Sequence, residues 1–223
     1  YFTPLLTQTE VAQSVDEPSE SDSNPWTIEV KSINVNNSNA LYAMAGHEPI
    51  QGIDMNYLKA DSISIVVDSF YNRGSEIRVP LRHLKATERC GIGVMASGLF
   101  AMDKSMMRAD DFVINTHNTA VEFDAAMGLG NFATDESLPI ELFVDGKVGV
   151  ADVALAYPVM SPIMKRVKNN SRIDVDVDID GTLARVNINE LKVELARHLL
   201  LDLNGSVAHV MSDENRSGHV ALS

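Results

Sequence analysis

The stretch that decides the fold reads Leu58-Lys59-Ala60-Asp61-Ser62-Ile63-Ser64-Ile65-Val66-Val67-Asp68-Ser69-Phe70-Tyr71. Ile63, Ile65 and Val67 fall at every second position. On a strand, successive side chains point to opposite faces, so this spacing sets branched aliphatics on one face and Ser62, Ser64 and Asp68 on the other. The opening phrase recurs as Leu84-Lys85-Ala86-Thr87, as Met107-Arg108-Ala109-Asp110 and, more loosely, as Leu191-Lys192-Val193-Glu194. Ile92 and Val94 follow the second copy; Phe112 and Ile114 follow the third. The first three copies start at 58, 84 and 107, giving spacings of 26 and 23, inside the range of repeated supersecondary units. The reading is a repeating strand unit.

The same alternation extends outward along the chain. Trp26/Ile28/Val30, Ile53/Met55/Tyr57, Ile77/Val79/Leu81, Ile92/Val94/Ala96, Val121/Phe123/Ala125/Met127/Leu129, Ile140/Leu142/Val144 and Leu199/Leu201/Leu203 each hold one phase. Turn chemistry at Asn72-Arg73-Gly74, Asp145-Gly146, Asn131 to Pro139 and Asn215 to Gly218 separates them. Short connections favour an antiparallel meander. One short helix is predicted within about 152–169: Ser161 caps it, Pro162 suits its first position, and Ile163, Met164 and Val167 share a face through to Lys168. Asp152 to Tyr157 adds a short turn. The predicted class is therefore mainly β, an elongated and curled antiparallel meander with an open apolar groove and one or two short helices.

Composition limits the functions. The 223 residues are 45% hydrophobic and contain no apolar run of membrane-spanning length. With 31 acidic against 18 basic residues the net charge is -13, which repels phosphate backbones, so nucleic acid is excluded as a partner. The single Cys90 supports neither an intrachain disulfide nor a Cys-based zinc site and reads as a small apolar side chain. The chain opens at Tyr1 without a signal peptide and reads as a piece of something longer. Residues 1–25, rich in Gln, Ser, Asp, Glu and Pro between Thr7 and Pro25, form a predicted linker, and 26–223 the β segment.

Motifs that suggest chemistry are weak. Asp176-Val177-Asp178-Ile179-Asp180-Gly181 imitates the start of a calcium loop, but its twelfth position is Asn187 where a bidentate Glu is required. A strand with Ile173, Val175, Val177 and Ile179 on one face accounts for it better. His47, His83, His117, His198, His209 and His219 show no metal-ligand spacing and read as solvated or strand-face residues. Gly91 and Gly93 match no phosphate-binding loop and read as strand glycines at a bend. Met102, Met106 and Met107 suit an adaptable apolar surface. No enzyme, metal or cofactor is expected.

Several stretches resemble one family. Leu58 to Tyr71, Leu81-Arg82-His83-Leu84, Glu88 to Val94, Gly98 to Asp103, Asp111 to Thr116 and Gly149 to Pro158, followed by Asp180-Gly181-Thr182-Leu183, look like the AsmA-like/TamB-like envelope proteins of Bacteroidota-type bacteria. Where many relatives have Thr-Pro-x-Ser, this chain has Thr116-His117-Asn118-Thr119. The resemblance implies the periplasmic part of an inner-membrane-anchored protein whose anchor is absent here. It also implies phospholipid transport or outer-membrane assembly, with acyl chains and the assembly machinery as partners. The groove lining inferred from the alternation is Ile63, Ile65, Val67, Ile92, Val94, Phe112, Ile114, Val121, Phe123, Met127, Leu142 and Val144. Each acyl CH2 shielded there gains roughly 0.8 kcal/mol. The competing reading is a closed β-sandwich, adhesin-like or carbohydrate-binding, without a lipid groove; aromatics at 6% and a single Trp26 speak against sugar stacking.

Overall fold

A computed structural model describes residues 25–131, 134–160, 162, 167–168, 170–195, 199–210 and 217–222. Eleven strands follow one another as β1 (Thr27–Ala43), β2 (Tyr57–Arg73), β3 (Glu76–Glu88), β4 (Gly93–Met102), β5 (Met106–Asn115), β6 (Ala120–Gly128) and β7 (Pro139–Gly149). After a helix α1 (Val150–Ala156) and a 3-10 turn (Pro158–Met160) come β8 (Arg172–Thr182), β9 (Arg185–Leu195), β10 (Leu199–Ala208) and β11 (Ser217–Leu222). They form one sheet in sequence order, every neighbouring pair antiparallel. The sheet stays open: β1 pairs only with β2 and β11 only with β10.

The alternation survives along long strands because bulges absorb its breaks. In β5, Met107 and Ala109 are followed by Phe112 and Ile114, a change of phase across Asp110-Asp111. An extra residue in one strand restores the facing of those after it. The register slips at that place against both β4 and β6, and Asp111 has φ +51°. The register also slips at Asn36-Asn37 in β1, at Asp61-Ser62 and, against β3, at Asp68-Ser69 in β2, at Arg82-His83 in β3 and at Asn189-Glu190 in β9, with positive φ at Asn37, Ser62 and Ser69. A side-chain oxygen on the facing strand takes up the displaced backbone N–H in two of these. Asp111 N–H donates to Asp124 Oδ1 at 2.7 Å, and Ser62 N–H to Asn39 Oδ1 at 3.1 Å.

The structure corrects several boundaries. Asp145-Gly146 is no turn but the middle of β7, where Gly146 pairs with Val121 and Val175 and a side chain would collide with Ala120 O and Val121. Ile53 and Met55 belong to the β1–β2 loop, and β2 begins at Tyr57. Ile92 lies in the β3–β4 turn, one residue before β4, and Leu129 beyond the end of β6. The helix occupies Val150–Ala156, where a mere turn is predicted. Of the predicted helix, Ser161, Ile163 and Met164 lie outside the described residues, as do the linker Thr7 to Asn24 and the Asn215 part of the last turn. The recurring phrase is not a structural repeat: its copies sit on β2, β3, β5 and β9, and the β2 copy runs opposite to the other three.

Candidate functional site

Register places the apolar residues of successive strands abreast. One row runs Ile65, Leu84, Ala96, Ile114, Val121, Gly146, Val175, Val193 and Leu201, from β2 to β10. A second runs Phe112, Phe123, Val144, Val177, Leu191 and Leu203, with the rings of Phe112 and Phe123 stacked at 5.3 Å. Gly98 makes room for this pair, since a Cβ there would stand 2.5 Å from the Phe112 ring. A third row runs Ile77, Met102, Met107, Met127, Ile140 and, beyond Gly181, Val186 and Val207. Between the second and third, Ala109 and Ala125 face each other. Their small side chains leave a shallow apolar hollow of about 290 Å³, walled by Phe100, Met107, Met127 and Leu142.

Eleven of the twelve sequence-derived lining residues stand on strands of this face: Ile63, Ile65, Val67, Val94, Phe112, Ile114, Val121, Phe123, Met127, Leu142 and Val144. Ile92 does not; it is buried in the β3–β4 turn. Val67 is also buried, whereas the others are half-buried. No second layer packs on the face among the described residues. The face also extends beyond the predicted set, through Val175, Val177, Ile179 and Ile188 on β8 and β9 to Leu201 and Leu203 on β10.

The opposite face is acidic. Asp174, Asp176, Asp178 and Asp180 of β8 stand beside Lys147, Asp145, Phe143 and Glu141 of β7. Lys147 Nζ bonds Asp174 Oδ1 at 2.5 Å. The Asp176 to Gly181 segment is thus extended strand and not a ligand loop.

One rim of the sheet is tied together by buried carboxylates and an arginine. Asp54, in the β1–β2 loop, accepts from Ile50 N–H at 3.0 Å and Asn56 N–H at 3.0 Å, and its Oδ2 lies 2.8 Å from His47 Nε2. These contacts, led by the Ile50 amide, hold its carboxyl down at about 2. His47 is therefore a paired loop residue and not a solvated one. Asp152 of α1 accepts from Thr116 Oγ1 at 2.5 Å, Thr119 Oγ1 at 2.6 Å and Asn118 Nδ2 at 3.0 Å, all in the β5–β6 turn. Burial pushes this carboxyl up, but those donors outweigh it and hold it below the ordinary range. The Arg89 guanidinium, over the Tyr57 ring, donates to Ile50 O at 2.7 Å and Gly52 O at 3.0 Å. Ile53 N–H donates to Ala156 O at 2.9 Å, joining the loop to the end of α1. Cys90 is half-buried beside Glu88; burial first, then that carboxylate, pushes its thiol up, away from the thiolate that a nucleophile requires.

Comparison with protein-family models, curated proteins and solved structures finds no match. An apolar surface spanning most of a sheet, in aligned rows and without a covering layer, departs from the usual antiparallel arrangement of one packed and one solvated face.

Proposed function

We propose that this chain shields lipid acyl chains on its open apolar face, as a periplasmic segment of an AsmA-like/TamB-like protein that acts in phospholipid transport or outer-membrane assembly. The observation that carries the reading is the continuity of the rows across strands: Ile65 to Leu201 offers equivalent apolar positions from β2 to β10. A chain of about 15 carbons gains on the order of 10 kcal/mol there without polar recognition, and near-equivalent positions let it slide. Periplasmic location, an anchored parent and the assembly machinery as partner come from the family resemblance. The test is binding of a fluorescent fatty-acid probe to wild type and to Phe123→Arg. Phe123 is half-buried on an open face, so the variant keeps its β circular dichroism and loses probe binding. A folded variant that binds the probe as wild type does refutes the reading.

One observation favours a second function, glycan binding on the acidic face. Phe143, 47% exposed, stands between Asp124 and Asp178 in a hollow also bordered by Arg108 and Asp180, an aromatic platform among polar groups. Oligosaccharide binding that is lost in Phe143→Ala and kept in Phe123→Arg would decide for it.

A further inference from the structure

Among the described residues β1 pairs with β2 alone and is otherwise a free edge. It is 17 residues long, and all of it but Val30, Val35 and Ser38 is exposed. An edge of unpaired N–H and C=O groups is a template for a further strand, and folds blunt it with charges, Pro, bulges or brevity. The other edge strand, β11, is six residues long. Over residues 27–35, β1 has one Glu, one Lys and no Pro. Its register with β2 shifts only beyond Val35, beside Asn37 at φ +49°. Residues 27–35 are therefore an unblunted template, and the bulge sets where it stops.

The apolar pattern of this template argues what fills it. Ile28, Val30, Ile33 and Val35 stand opposite Asn72, Phe70, Val67 and Ile65. They share the apolar face of the sheet, since Ile65 starts its first row and Asn72 faces Ile77, which starts its third. Ile28 is 50% exposed and Ile33 37%. The spacing 28, 30, 33, 35 reads the same from either end, so an antiparallel copy of the strand is its own complement. Ile28 falls opposite Val35 and Val30 opposite Ile33, each pair made twice. The same register sets Glu29 opposite Asn34 and Lys31 opposite Ser32, with no like charges directly opposite. A slip by one residue would set every apolar position against a polar one.

We propose that two copies of this chain join through β1, antiparallel and centred between Lys31 and Ser32, into one continuous sheet. The two-fold axis then stands perpendicular to the sheet, and both apolar faces lie on the same side. The first row of one copy, reaching β1 at Val35, runs on through Ile28 of the partner subunit and Asn72 of the partner subunit into the partner's third row. The proposal rests on the pattern and register of β1, whatever the face holds.

The test is sedimentation of the purified chain over a concentration series, with a cross-link that reads the register. Wild type passes from monomer to dimer and no further. Ile28→Lys with Ile33→Lys touches all four apolar pairs and raises the dimer dissociation constant about tenfold or more, with circular dichroism checking that the sheet is kept. Glu29→Cys with Asn34→Cys, in a Cys90→Ser background, gives a disulfide-linked dimer on mild oxidation, because the two positions face each other across the axis. Glu29→Cys alone does not. Phe123→Arg dimerises as wild type does, so failure of the acyl-binding reading and failure of dimerisation are separate results. A monomer at every concentration overturns the proposal, whether or not another strand protects the β1 amides from hydrogen exchange. So does open-ended growth, which means pairing of β1 with β11, and so does a dimer lost in Phe123→Arg, which means contact through the apolar faces. A dimer unchanged in the folded Ile28/Ile33 variant, or a cross-link formed equally by Glu29→Cys alone, overturns it as well.

Discussion

Asp111 shows how one residue keeps a strand in phase. Its φ of +51° is a conformation that β-branched side chains adopt only with strain, and its N–H is taken up by Asp124. Asp111→Val should lower stability by about 1–2 kcal/mol, and Asp111→Asn or Asp111→Gly should stay close to wild type; urea denaturation at constant m-value checks both. Asp54 gives a pH dependence of known sign. Its folded pKa of about 2 lies below the ordinary 3.8, so its contribution is complete above about pH 4 and is lost as pH falls toward 2. Melting temperatures of wild type and Asp54→Asn should therefore differ most near pH 6 and converge near pH 2. A constant gap would remove Asp54 as the clasp of the β1–β2 loop. Such residues were partly legible in sequence. The polar pairs Asp61-Ser62, Asp110-Asp111 and Asn189-Glu190 each interrupt an alternation that resumes one position later, and that is the signature of a bulge. His47 with Asp54 was not legible, because the pair is joined by a loop conformation and not by a periodic spacing.

At the scale of elements, β7 and β8 bring like charges together on the acidic face. Glu141 stands directly across from Asp180, and such pairs destabilise a sheet. Glu141→Lys should raise stability by about 0.5 kcal/mol at low ionic strength, with the gain shrinking in 1 M salt. Thermal melts at the two salt concentrations test this. Strand existence was readable wherever the period of two held, and β7 and β8 followed it without a bulge. Asp145-Gly146 misled because a glycine in a strand and a glycine in a turn look alike in sequence; only the close approach of Ala120 and Val121 tells them apart. Helix α1 escaped for a different reason. Val150–Ala156 has no side-chain N-cap hydrogen bond, and its place is set by Asp152 reaching the β5–β6 turn.

Over the whole molecule, openness separates two kinds of apolar residue on one face. A charge at Phe123 remains reachable by water, whereas Val67, 6% exposed, has no such escape. Val67→Asp should unfold the chain or cost more than about 3 kcal/mol, against a folded Phe123→Arg. Circular dichroism with urea titration distinguishes them, and equal unfolding by both would mean that the face is covered in solution. That these apolar residues share one face was legible because register follows from alternation once the strand order is sequential. What sequence could not supply was the tie between the β1–β2 loop and α1, since these segments are about a hundred positions apart and share no pattern.

That tie alters how the molecule should come apart. In a meander each strand leans only on its chain neighbours, so unfolding spreads like a zipper from either end, as in linear repeat proteins. The bond from Ile53 to Ala156 and the Arg89 contacts breach that locality and clasp the first seven strands into one cooperative block. The opposite end has its own clasp: His209, after β10, lies with Nδ1 2.8 Å from Glu136 Oε2 in the β6–β7 loop, and Ala184 in the β8–β9 turn donates its N–H to Glu136 O and accepts from His209 N–H, which leaves β11 outside both ties. Native-state hydrogen exchange should find β11, paired only with β10, opening at lower free energy than β3 to β6. Arg89→Ala should erase much of that difference by loosening the first block, while leaving exchange in β11 as it was.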